Sequence, residues 1–216
     1  MAPEDVPLFV GIPPDRLRSA IVVRDFTAGT PIFRQDDPTS GLWAILSGRV
    51  AVERLGPDGG VYTTGVWQPG EVIGIAGLWD GSGYPASARS LDNPTTLLWM
   101  ERRRFLTLHR EVPAFAEAVS RALASRLRYI QETVADTRGR PTAVQLAVIL
   151  STLCERTGSD IALTHEDLAH MVGAKRETVT RCLTEFRHQG WVDSHYGRLT
   201  VRDPGALRRF AAEGGI

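Results

Sequence analysis

The 216-residue chain is 43% hydrophobic and 23% charged, the balance of an ordinary soluble globular protein, and is long enough for two modest domains with separate cores. No apolar run approaches the ~20 residues of a membrane span, and the opening Met1-Ala2-Pro3-Glu4-Asp5 is acidic where a secretory signal would be basic, so a cytoplasmic protein is expected. Its 25 basic residues balance 25 acidic ones, which argues against a protein held to nucleic acid by bulk charge, and Cys154 and Cys182 are too few and too far apart for a zinc ribbon or a cysteine-ligated iron–sulfur cluster.

In chain order, Pro13 and Pro14 precede a short helix around Asp15 to Ala20. From Ile21 to about Leu108 the pattern is of short β-prone runs cut by glycine or proline: IVVRDF, PIFRQ, LWAILSGRVAVERL, VYTTGVW, EVIGIAGLW and TTLLWM. Such spacing predicts an antiparallel barrel or sandwich. Asp58-Gly59 marks a hairpin between Val50–Leu55 and Val61–Trp67. Pro113 opens a helix reaching about Thr137, on which Val112, Phe115, Val119, Leu123, Leu127, Ile130 and Val134 form one stripe. Ala118, Ala122, Tyr129 and Thr133 lie beside it with Arg126. One line can pack on the β-domain and the other on a partner chain; spacing alone does not assign them. Asp136 to Pro141 breaks the pattern as a hinge, and Thr142–Arg156 is the next helix, with Val144, Ala147, Val148, Leu150 and Leu153 facing a core. A short helix from Pro204 to Phe210 closes the chain. Both cysteines fall on apolar helix faces and read as buried thiols.

Between Leu163 and His188 lies LTHEDLAHMVGAKRETVTRCLTEFRH. Thr164 can cap a helix with Asp167 three residues on, Leu168, Ala169 and Val172 give it an inward face, and Gly173 supplies the turn. On a wheel of ~100° per residue, the segment from Ala174 puts Val179, Cys182, Leu183 and Phe186 on one side. Glu177, Thr180, Arg181, Thr184 and His188 fall on the other, with Arg176 and Arg187 at the boundary. This is the pattern of a helix-turn-helix. Arginine matches guanine O6 and N7, glutamate accepts from cytosine N4, and threonine bonds a base edge or meets a thymine methyl. A solvated amphipathic helix with pairs such as Glu177–Arg181 would show the same wheel. Local charge leans towards DNA, since Lys175 to Arg202 holds six basic residues against three acidic ones.

The segment G-A-K-R-E-T-V-T-R, Gly173 to Arg181, resembles the recognition motif of the Crp/Fnr family of bacterial transcription regulators, and H-Q-G-W-V-D ending at Asp193, with Gly197 and Leu199–Val201, resembles its β-wing. LWAILSGRVAV and QPGEVIGIAGLW resemble the glycine-punctuated β-roll of cyclic-nucleotide-binding domains. The resemblance implies an α+β protein: a β-roll over 1–110, a dimerisation helix over 111–138 and a winged helix-turn-helix domain over 139–216. It further implies a homodimer on double-stranded DNA, reading a two-fold-symmetric site with TGTGA-like half-sites, and RNA polymerase as a partner. Arg176 and Arg181 would contact guanines and Glu177 a cytosine, with Thr180 beside them. Lys175, Thr178, Arg187, His195 and Arg198 would meet phosphates.

In cyclic-AMP-binding members of the family, a glutamate after G-E-x-x-G holds the ribose, an Arg-Ser pair holds the phosphate and a Thr-Ser pair on the central helix meets the base. Alignment puts Ile75, Pro85-Ala86 and Ile130-Gln131 at those positions, so every polar anchor is replaced. Arg89 is close enough in sequence to enter from a neighbouring strand. The Gly74–Leu78 run, with Ala76, and Arg126 resemble the 2-oxoglutarate pocket of the nitrogen-control branch, whose helix glutamate is here Gln131. A haem site would have to use His109, the one histidine before the DNA-binding region, at a strand-to-helix junction, and no cysteine precedes Cys154 for an iron–sulfur cluster. The expectation is a regulator without a cofactor or metal and independent of an effector; the alternative is a sensor of a small acid such as 2-oxoglutarate that acts mainly through protein interaction. No Ser/His/Asp, metal-ligand or P-loop constellation points to an enzyme, and His165, His170, His188 and His195 read as phosphate-contacting or solvent-exposed.

Overall fold

A computed structural model describes residues 1–56, 60–137, 139–195 and 197–214. The chain divides into two compact units, Met1–Leu127 and Arg128–Ile216. The fold is α+β, with two antiparallel four-stranded sheets in the first unit and a three-stranded sheet among helices in the second. Among the described residues no helix is long and apolar enough to cross a membrane.

Helix α1 (Pro14–Ala20) leads into β1 (Ile21–Phe26), β2 (Pro31–Phe33), β3 (Gly41–Ser47), β4 (Val50–Leu55), β5 (Val61–Trp67), β6 (Val72–Ile73), β7 (Ser87–Ser90) and β8 (Thr95–Glu101). The sheets run β1-β8-β3-β6 and β2-β7-β4-β5. Their facing sides share one core: Trp43, Ile45, Ile73 and Leu97 from the first meet Phe33, Val50, Val52, Trp67 and Ala88 from the second. The other side of the first sheet, through Leu42, Ala44, Leu98 and Met100, carries a second core. With both faces covered, β3 is buried from Gly41 to Ile45, and its sequence is a continuous apolar run rather than an alternating one. β4 and β5 form the expected pair, from Val50↔Trp67 to Leu55↔Val61. The Asp58-Gly59 turn assigned to that hairpin lies outside the described residues.

Three features differ from the sequence reading. The β-pattern ends at Glu101, not near Leu108, because α2 (Arg102–Glu111) follows β8 directly. Its buried Phe105 and Leu108 sit three apart on one helical face, and His109 lies within it, its ring beside Phe105 and Trp79 rather than at a strand-to-helix junction. EVIGIAGLW is a strand only at Val72–Ile73 and then turns into a 3₁₀ segment, Ala76–Leu78. SARS, Ser87–Ser90, is the inner strand β7, between β2 and β4, its small Ala88 and Ser90 buried.

Helix α3 (Pro113–Thr137) has two regimes. Val112, Phe115 and Val119 are buried with Phe9, Leu17 and Phe105, and Ala118 and Ala122 pack half-buried on the same core. The aromatic rings of Phe105 and Phe115 meet edge-on at 5.4 Å. Further along, Leu123, Leu127 and Ile130 are 38%, 58% and 44% exposed, so the stripe leaves the core it starts in. α3 also takes in Asp136 and Thr137 of the predicted hinge. Arg138 and the side chains of Tyr129, Thr133 and Val134 lie outside the described residues.

The second unit comprises α4 (Thr142–Thr157), β9 (Asp160–Ile161), α5 (His165–Val172), α6 (Arg176–His188), β10 (Val192–His195), β11 (Arg198–Val201) and α7 (Pro204–Ala212). Val144, Ala147, Leu150 and Leu153 of α4 are buried as expected. Val148 is only half-buried, and Leu146 and Ile149 take the core places. The α4 sequence is apolar nearly all round, so periodicity could not separate these faces. Cys154 and Cys182 are half-buried free thiols rather than fully buried ones, and burial raises both above the ordinary thiol range.

Candidate nucleic-acid interface

Two helices and a hairpin assemble the predicted site. Thr164 and Asp167 form a reciprocal capping box: the Thr164 hydroxyl accepts from the Asp167 backbone N–H at 3.1 Å, and the Asp167 carboxylate accepts from the Thr164 backbone N–H at 2.8 Å. Gly173 then adopts the left-handed conformation, φ 63°, ending α5 where a side chain would be strained. Lys175 is the N-cap of α6.

Val179, Leu183 and Phe186 are buried on the inner face of α6, while Arg176, Glu177, Thr180 and Arg181 are exposed on its first turns. Phe186 anchors the helix, its ring 5.4 Å from Trp191 and 5.5 Å from Phe210. Because those contacts lie at the C-terminal end, the polar N-terminal turns stay free of the core. Thr178 is half-buried beside them, and Lys175, Arg187 and His188 are exposed.

The wing is the antiparallel pair β10–β11, in register from Val192↔Val201 to His195↔Arg198, with β9 added outside β11. Asp160 on β9 accepts from the Thr200 hydroxyl at 2.8 Å and pairs with Arg198 at 3.1 Å. The Thr200 hydrogen bond, helped by Arg198, holds its carboxyl below the ordinary carboxylate range. His195 and Arg198 are both exposed near the wing tip.

His165 departs from the expectation of a phosphate-contacting or solvent-exposed ring. As the first residue of α5 it is half-buried, with Nδ1 3.0 Å from the Thr180 hydroxyl and Nε2 2.8 Å from the Ser194 hydroxyl on the wing. These partners are fifteen and twenty-nine residues away, which no local pattern reveals. His170 likewise pairs with Glu166 at 3.2 Å, one turn earlier. Burial, reinforced by the Arg176 guanidinium, pushes the His165 imidazole below its ordinary 6.5. A folded-state value below the unfolded one means that folding favours the neutral ring; the associated stability is present above about pH 6.5 and is lost as pH falls from there through the lower folded-state value. The melting temperature of the second unit is therefore expected to drop between pH 7.5 and pH 5.5. In His165→Gln, thermal denaturation followed by circular dichroism should show a smaller drop, and an equal drop would remove His165 as its source.

The residues aligned with an effector pocket lie on different elements of the first unit. Ile75 is half-buried against the helix-side core, and Ala76 and Pro85 are exposed. Arg89 follows Ala88 on β7 and so points away from the shared sheet core, where its guanidinium donates to Glu53 of β4. Arg126 stacks over the Trp67 ring at 4.3 Å. The space between the sheets holds Trp43, Trp67, Phe33 and Tyr84, the last two stacked at 4.0 Å. In the second unit Ile130 and Gln131 are exposed on α3.

Residues 144–210 match the family model of the Crp-like helix-turn-helix domain, and residues 23–111 match that of the cyclic nucleotide-binding domain. The cyclic AMP receptor protein of Thermus thermophilus is 31% identical over 209 residues, covering 95% of this chain and 96% of the relative. A CRP-like cAMP-activated global transcriptional regulator of Mycobacterium tuberculosis is 28% identical over 215 residues, with 94% and 96% coverage. The structure of FixK2 from Bradyrhizobium japonicum superimposes with a TM-score of 0.76 at 19% identity, over 88% of this chain and 96% of that one, a likeness of fold.

Proposed function

Since the chain belongs to the Crp/Fnr family of transcription regulators and carries its helix-turn-helix, we propose that it is a cytoplasmic, non-catalytic homodimer that binds a TGTGA-like palindrome. The observation that carries this reading is the split of α6, with Arg176, Glu177, Thr180 and Arg181 exposed on a helix pinned from behind by Val179, Leu183 and Phe186. In this reading Arg176 and Arg181 take guanines, Glu177 a cytosine, and Lys175, Thr178, Arg187, His195 and Arg198 touch phosphates that fix the register. Arg198 would do so while paired with Asp160, as a shared rather than a free cation. Dimerisation is supported by Leu123, Leu127 and Ile130, exposed at helical spacing on α3, and two-fold pairing matches a two-fold DNA site. RNA polymerase is the partner that such a regulator would engage.

The same proposal makes the β-roll independent of cyclic AMP and of any effector, unlike the two relatives named for cyclic AMP. Support comes from the aromatic filling between the sheets and from the absence of polar anchors at Ile75, Pro85 and Ala86. A small acid such as 2-oxoglutarate would need a cation, and the two candidates in this unit, Arg89 and Arg126, are engaged by Glu53 and Trp67. Selection of bound sequences from random DNA should return a palindrome in the absence of ligand and the same one with cyclic AMP or 2-oxoglutarate; a requirement for either would defeat effector independence. In the same assay, Arg181→Ala should lose discrimination at one base pair per half-site, worth ~1–3 kcal/mol, with binding to scrambled DNA unchanged. An unaltered ratio of specific to scrambled binding would remove Arg181 from the reading set.

A further inference from the structure

The His165 bridge places a titratable ring, itself outside the reading face, in hydrogen-bond contact with one of the side chains assigned to that face. The chemistry of the two contacts is constrained. A neutral imidazole has one N–H and one bare nitrogen, so of the two hydroxyls it meets, one must accept and the other must donate. Thr180 Oγ1 has a single hydrogen and two lone pairs. Its neighbour Thr184 does not compete for them, because the Thr184 hydroxyl donates to the Thr180 backbone carbonyl at 2.9 Å. Ser194 is held in β10 opposite Leu199, so the wing end of the bridge is fixed by the sheet register.

We propose that His165 is a specificity-determining residue: by fixing the direction of the Thr180 hydroxyl hydrogen, it sets whether position 180 reads a hydrogen-bond donor or an acceptor on the base edge. With the proton on Nε2, the ring donates to Ser194 and accepts from Thr180. The Thr180 hydrogen is then spent inward and only lone pairs face the groove, which suits the amino group of adenine or cytosine. With the proton on Nδ1, Ser194 donates to Nε2 and Thr180 accepts from the ring. Its own hydrogen is free for guanine O6 or N7 or thymine O4. The bridge also joins the wing, through Ser194, to a reading residue on α6. The low proton affinity of the ring, from its burial and from Arg176, is consistent with the neutral form that this mechanism requires. The inference rests on α6 being the base-reading helix.

The test combines ring spectroscopy with DNA selection. In full-length wild-type protein at pH 7.5, the ¹⁵N shifts of the His165 ring should show one protonated and one bare nitrogen; a doubly protonated or rapidly exchanging ring would overturn the proposal. In selection from random DNA, Thr180→Val should flatten the preference at a single base pair per half-site by about five-fold, one hydrogen bond's worth. His165→Ala should change the same base pair and no other, and the double variant should be no flatter than Thr180→Val alone. Preferences unchanged in His165→Ala, or lowered evenly at all positions, would refute the inference while leaving the DNA-reading helix intact. If wild type selects no sequence, the reading of α6 fails first and this inference with it. Should His165→Ala not fold, the wild-type ring spectrum and Thr180→Val decide the question.

Discussion

Replacing Leu123 and Leu127 together by aspartate is expected to yield a folded monomer that no longer holds a palindromic site. Both positions are exposed within the chain, at 38% and 58%, so the substitutions leave neither core short of contacts. In a two-fold interface each residue counts twice, and four leucines leave the contact. At about 1.5–3 kcal/mol for each buried leucine, the dimer constant should weaken by more than about a thousandfold even before the aspartate charges are counted. DNA affinity should then fall towards that of a single half-site, a loss on the order of 10²–10⁴. Sedimentation equilibrium beside a gel-shift titration checks both parts. A dimer that persists at micromolar concentration would show that this stretch of α3 is not the interface.

Phe186→Ala should have an effect of a different kind. Phe186 is 2% exposed, and its ring closes the cluster formed with Trp191 and Phe210 behind α6. Truncating a buried phenylalanine costs about 3–5 kcal/mol. Against a total of roughly 5–15 kcal/mol for a domain, that brings the second unit close to unfolding. Binding to specific and to scrambled DNA should be lost together, in contrast with Arg181→Ala, where only the specific component goes. Thermal denaturation should separate a lowered second-unit transition from a first-unit transition that is unmoved. If both units melt as in wild type, Phe186 does not anchor α6.

What was legible in the sequence follows from how far each interaction reaches along the chain. α6 was visible because its inner and outer residues recur at helical spacing and because R-E-T-V-T-R carries a family resemblance; the capping pair Thr164 and Asp167 was visible because it closes within three residues. α2 was missed because Arg102, Arg103 and Arg104 follow β8 with no glycine or proline to mark the change, although Phe105 and Leu108 held a weak helical signal. β7 escaped because small residues carry little strand propensity, and the burial of Ala88 and Ser90 depends on strands distant in sequence, β2 and β4 on either side. The two regimes of α3 share one apolar spacing, and only the packing of Phe9, Leu17 and Phe105 around its first turns distinguishes them. His165 was the deepest omission in the site, since its role depends on two hydroxyls brought together by α6 and the wing.

The ring cluster behind α6 has an optical consequence. Of the five tryptophans, four (Trp43, Trp67, Trp79 and Trp99) precede Leu127, and Trp191 alone belongs to the second unit. Its indole touches Phe186 on the inner face of α6 and Phe210 on α7. A variant with the four early indoles replaced by phenylalanine would leave one fluorophore bound to the back of α6. Its emission would report, residue by residue of DNA sequence tried, whether the helix shifts in its seat when it meets a base pair.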